Sequence, residues 1–167
     1  MRKVLIAIDY NPCAKKVAES GFKYASAMNA KICIVHAIRD IAYYSMEYLP
    51  VMGFEGFSSD CVFKNVEQQQ NEAKRFLAAV TDYLGSTNIE TKVLDGKASE
   101  TILEFAKEWH ADMIVMGSQS HNGLEKLIMG DVVATVVKNA QIPILIVPSD
   151  KNASSLISTR YESLQYI

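Results

Sequence analysis

Val4-Leu5-Ile6-Ala7-Ile8-Asp9-Tyr10-Asn11-Pro12 begins with five consecutive apolar residues and then breaks into polar turn chemistry. An apolar run without alternation suits a strand covered on both faces, as in a parallel sheet. Asn11-Pro12 reads as a helix start, with Asn as N-cap and Pro at the first helical position, where its missing N–H is no loss. Ala14, Val17, Ala18, Gly21, Phe22, Ala25 and Met28 then recur at spacings of three and four, which is one apolar face of a helix ending at Asn29. Ile32-Cys33-Ile34-Val35-His36-Ala37 forms a second buried strand. The opening segment is therefore strand–helix–strand.

The same rhythm continues outward. A long helix runs from Asn65, with Val66, Ala73, Phe76, Leu77, Val80 and Leu84 on one face and Gly85 as its stop. Glu90 to Leu94 is a third strand, Ala98 to Trp109 a helix, and Asp112 to Met116 a fourth strand. A polar loop from Gly117 to Gly123 leads to a helix through Val132, Val133, Val136 and Val137, and Pro143 to Pro148 is a fifth strand. Five strands alternating with four helices predict an α/β fold: a doubly wound, five-stranded parallel sheet with helices on both faces, Rossmann-like in organisation. Ligands of such sheets sit beyond the carboxyl ends of the strands, where strand order reverses. Asp9 to Pro12, His36 to Asp40 and the loop after Gly117 all fall at that edge.

Composition limits the function classes. The 167 residues are 49% hydrophobic and 22% charged with net charge −2, the balance of an ordinary globule rather than a disordered chain. Near-neutral charge argues against a partner held by charge alone, so neither nucleic acid nor membrane is expected. The longest apolar runs are too short to span a bilayer, and Met1 to Asp9 lacks the length of a signal-peptide core, so the expected location is cytoplasmic. One domain is expected over 1–150, with a Ser- and Tyr-rich tail over 151–167. Residues 41–63 interrupt the α/β rhythm with an aromatic, Met-rich insertion that could shield a ligand or engage another protein. Cys13, Cys33 and Cys61 have no CxxC spacing and form no ligand set with His36, His110 or His121, so no metal site is expected.

The chemistry concentrates in Met116-Gly117-Ser118-Gln119-Ser120-His121-Asn122-Gly123 and in Gly130-Asp131. A glycine at a strand end permits a sharp turn that exposes backbone amides, and a second glycine opening a helix leaves its positive dipole end accessible to phosphate. No Gly-Lys-Ser/Thr motif and no GxGxxG after the first strand is present, so this is neither a P-loop nor a dinucleotide fingerprint.

From Val4-Leu5-Ile6-Ala7-Ile8-Asp9 to Ile144-Leu145-Ile146-Val147-Pro148 the sequence resembles the universal stress protein family. The most specific stretch is Val115-Met116-Gly117-Ser118 followed by Gly123-Leu124-Glu125-Lys126-Leu127-Ile128-Met129-Gly130. The resemblance implies an adenine-nucleotide α-hydrolase-like fold and a ligand such as ATP or AMP. Asp9 and the backbone of Ala37 would lie near the adenine. Gly117, Ser118, Ser120 and His121, with Gly130 and Asp131, would hold ribose and phosphate. It also implies a homodimer pairing through the last strand, Ile144 to Val147, and an unidentified protein partner in stress regulation. No nucleophile–base pair or carboxylate dyad can be placed, so at most weak ATP hydrolysis is expected.

Two positions depart from the family's Gly-x2-Gly-x9-Gly-Ser/Thr pattern: Ser120 replaces a glycine and Asp131 a hydroxyl residue. A carboxylate at 131 repels a phosphate by about 1 kcal/mol at 4 Å in bulk water, and by more in a partly buried site. A Mg²⁺ ion between the two would reverse that sign. The alternative is a nucleotide-free dimeric interaction module whose Asp131 caps its own helix.

Overall fold

The computed structural model describes residues 1–10, 13–38, 59–118 and 130–148, with 59–66 described by their backbone only. Its elements alternate as the sequence predicts: β1 (Lys3–Ala7), α1 (Ala14–Ala27), β2 (Lys31–Ile38), α2 (Ser59–Leu84), β3 (Ile89–Asp95), α3 (Ala98–Glu108), β4 (Met113–Gly117), α4 (Asp131–Asn139) and β5 (Ile144–Val147). Every described strand pairing is parallel, and the order across the sheet is β3-β2-β1-β4-β5.

β1 is central because it is apolar on both faces. Leu5 and Ala7 join Cys33, Val35, Ile114 and Met116 beneath Ile102, Ala106, Val133 and Val136 of α3 and α4. Val4, Ile6 and Ile8 face the other way, with Ile32, Ile34 and Val115, against Val17 and Ala25 of α1 and Leu77 of α2. Two covered faces explain why the strand shows no alternation. The edge strand β3 does alternate toward polarity, and Glu90, Thr91 and Lys92 are exposed.

Two helix starts differ from the sequence reading. Asn11 and Pro12 lie outside the described residues; α1 begins at Ala14, preceded by Cys13 in near-helical geometry (φ −80°, ψ −9°). α2 begins at Ser59 rather than Asn65 and runs for 26 residues, taking in the last residues of the 41–63 segment. Its first residues belong to the stretch whose aromatic composition interrupts the sequence rhythm, so the apolar spacing marked only the later part of the helix.

The amino edge of the sheet is tied together by polar contacts. The Lys3 backbone N–H donates to Asp112 Oδ2 at 2.7 Å, and Lys3 Nζ donates to the Trp109 carbonyl at 2.8 Å while lying 5.2 Å from its ring centre. Trp109 Nε1 donates to Glu90 Oε2 at 3.0 Å, and Lys31 pairs with the same carboxylate. Cys33 is the buried small hydrophobe expected of it, 1% exposed. Burial, reinforced by the nearby Glu90 charge, pushes its thiol up to about 12. Among the described residues no helix is long and apolar enough to cross a membrane.

Candidate functional site

Strand register assembles the site. Ala7 pairs with Val35 on β2 and with Met116 on β4. Two residues further along each chain come Asp9, Ala37 and Ser118, so the register carries three of the expected residues to the same carboxyl edge. That edge includes the β1–β4 boundary, where strand order reverses. The ladder continues into it: the Ile8 N–H donates to Val35 O at 3.0 Å.

The second half of the site comes from the β4–α4 connection. Ser118 N–H donates to Val147 O at 3.0 Å, and Gly130 N–H donates to Ser118 O at 3.4 Å. The two ends of the connecting loop therefore meet, which brings Gly117, Ser118, Gly130 and Asp131 together. Gly130 is the N-cap of α4, extended at φ −56° and ψ 150°, with no side chain to cap the first-turn amides. Asp131 is the first helical residue and is exposed. Ser120 and His121 lie outside the described residues.

The glycine at the end of β4 has a different role from the one its sequence context suggests. The described glycines with positive φ are Gly85 and Gly96, and Gly117 is not among them. A Cβ on Gly117 would lie 3.1 Å from Val17 Cγ2, so what the position requires is room for α1. The strand end needs a small residue, not a left-handed one.

His36 is a core histidine, 4% exposed. Its Nδ1 lies 2.9 Å from Ile8 O; since a carbonyl only accepts, Nδ1 carries the proton. Around it the structure assembles a group the sequence did not reveal. Tyr10, directly after Asp9, lies 4.4 Å from the His36 ring centre and 4.8 Å from that of Phe76 on α2. Phe76 was legible only as one residue of a helical apolar face. Among the described residues no cluster of His, Cys, Asp and Glu could hold a metal.

A parallel sheet with its switch point between β1 and β4, and a helix amino end opening beside it, defines a Rossmann-like α/β protein. The chain belongs to the universal stress protein family, whose pattern it matches over residues 1–148. It is 27% identical to a universal stress protein of Methanocaldococcus jannaschii over 151 residues, covering 90% of this chain and 84% of that one. A Synechocystis universal stress protein is 29% identical over 152 residues, covering 87% and 96%. Among solved structures, a universal stress protein from Lactobacillus plantarum superposes with a TM-score of 0.70 at 16% identity, over 87% of this chain and 97% of that one. A universal stress protein in complex with cAMP gives 0.55 at 22% identity, over 87% and 95%. One from Archaeoglobus fulgidus in complex with dAMP gives 0.57 at 17% identity, over 87% and 97%.

Proposed function

We propose that the chain is a cytoplasmic stress-response regulator that binds an adenine nucleotide at the carboxyl edge of its sheet. The observation that carries this reading is that β1, β2 and β4 deliver Asp9, Ala37 and Ser118 to one sheet edge beside the amino end of α4, joined by the Gly130–Ser118 hydrogen bond. Aligned peptide dipoles give a helix amino end about half a positive charge, and an N-cap glycine leaves room for a phosphate. In this reading Asp9 and the Ala37 backbone recognise the base. Gly117, Ser118, Ser120, His121 and Gly130 surround ribose and phosphate. Relatives of the same fold bound to cAMP and dAMP support the ligand class.

Asp131 sets the limit on phosphate number. Its carboxylate opens the helix that would receive the terminal phosphates, which favours AMP over ATP unless Mg²⁺ bridges the two. The same residue favours the second reading, a nucleotide-free interaction module. Calorimetric titration of the full chain with AMP and ATP, with and without Mg²⁺, separates them. Micromolar AMP binding that is lost in Asp9→Ala supports the nucleotide reading. No heat and no thermal shift at millimolar nucleotide would leave the interaction module.

A further inference from the structure

The pairing of β1 with β2 stops at Ala7 opposite Val35, and its last bond runs from the Ile8 N–H to Val35 O. In a parallel ladder the next bond would run from the Ala37 N–H back to the Ile8 carbonyl. That carbonyl accepts instead from a side chain, His36 Nδ1, at 2.9 Å. β2 stays a strand to Ile38 and pairs with β3 as far as Asp95, so it is β1 that departs. Among the described residues the β1–β2 ladder therefore offers the Ala37 N–H no acceptor. The imidazole that takes its place is enclosed on the α1/α2 face. Tyr10 and Phe76 meet it edge to face, with ring centres 4.4 and 5.5 Å away, and lie 4.8 Å from each other. Ala37 packs on the opposite face, with the cluster under α3 and α4.

We infer that His36 is a positioning residue: by holding the Ile8 carbonyl it ends the β1–β2 ladder one bond early and keeps the Ala37 N–H at the carboxyl edge as a donor for the nucleobase. The inference rests on the nucleotide reading above and adds to it what keeps that donor available. His36 touches no ligand in this arrangement; it acts through the backbone of β1, from the far face of the sheet. A backbone N–H only donates, so the base atom it takes is an unprotonated ring nitrogen or a carbonyl oxygen. Ile8 is buried, and a buried carbonyl seldom stays unpaired. Without the imidazole donor, the Ala37 N–H is the group in register to satisfy it, and the opening at the strand ends closes.

The test uses the full chain, with AMP as the probe and amide exchange followed by NMR. His36→Phe keeps the ring packing and removes the donor, whereas His36→Asn places an amide N–H near the position of Nδ1. His36→Phe weakens AMP by roughly three- to tenfold, the worth of one hydrogen bond, and His36→Asn binds more tightly than His36→Phe. In the nucleotide-free wild type the Ala37 amide exchanges faster than the Val35 amide, and AMP slows it. In nucleotide-free His36→Phe the Ala37 amide is already slow, a change that a merely structural histidine would not produce. Wild-type AMP affinity in His36→Phe overturns the inference. So does an Ala37 amide as protected as that of Val35 in the nucleotide-free wild type, a result that depends on no variant folding. Absence of AMP binding to the wild type fails the nucleotide reading itself, and a fast Ala37 amide in that protein distinguishes this failure from a ladder that His36 does not open.

Discussion

Asp131 concentrates the functional question in one side chain. At the first helical position its charge suits the α4 dipole and opposes a phosphate at the same place. Asp131→Ser should therefore tighten ATP relative to AMP by roughly fivefold, the equivalent of about 1 kcal/mol of relieved repulsion. Unchanged ATP affinity in calorimetry would locate the phosphates elsewhere. Gly117 teaches a complementary lesson. The sequence marks it as special, but only the approach of Val17 shows that the constraint is volume rather than backbone angle.

At the scale of elements, α1 packs tightly on β1. A Cβ on Gly21 would stand 2.6 Å from Ile6 Cδ1 and 2.8 Å from Ile6 Cγ1, in a core with no slack. Gly21→Ala should cost about 1–3 kcal/mol in urea unfolding, despite the better helix propensity of alanine. A stability at or above wild type would mean that α1 can lift off the sheet freely. The Lys31 ammonium, hydrogen-bonded to Glu90 and aided by the Trp109 indole, holds the Glu90 carboxyl below its usual range. A carboxyl lowered in the folded state stabilises above its unfolded value and loses that contribution as pH falls through the folded one. Both partners are nearly half exposed, so Glu90→Gln should remove only roughly half a kcal/mol at neutral pH. Thermal unfolding of the two proteins should converge by pH 3, and a constant gap would assign the effect to packing.

Much of this layer was legible in the sequence. The buried strands announced themselves as apolar runs because both sheet faces are covered. The helices on the sheet showed their packed positions: Val17 and Ala25, Leu77, Ile102 and Ala106, Val133 and Val136 all carry the expected burial. The start of α2 was not legible, since its first residues fall within the aromatic, Met-rich 41–63 stretch whose composition interrupts the helical rhythm. Nor was the Tyr10–His36–Phe76 cluster, whose members come from three elements and meet only once the sheet exists.

For the whole molecule, the two sheet edges differ in chemistry. β3 carries exposed Glu90, Thr91 and Lys92, and charged side chains on an edge discourage pairing with another chain. β5 offers Ile144, Leu145 and Ile146, all only partly buried within one chain. The contrast fits the homodimer through Ile144 to Val147 that the family resemblance implies. Ile144→Lys should shift the protein from dimer to monomer in light scattering at micromolar concentration, while Thr91→Lys on the opposite edge should leave the mass unchanged. A dimer that survives Ile144→Lys would place its interface on another surface.

The sheet order also has a consequence for how the chain reaches its native state. β1, β2 and β3 are sequence neighbours and can assemble early. The seam between β1 and β4 joins Lys3 to Asp112 across 109 positions. Long-range closure of this kind is entropically expensive and slow, so the carboxyl-terminal half is expected to dock late in folding. The candidate site lies across that seam, with Asp9 on one side and Ser118 and Gly130 on the other. A ligand there acts as a clasp between two folding units, and its presence should register most strongly as slower amide exchange along β1 and β4.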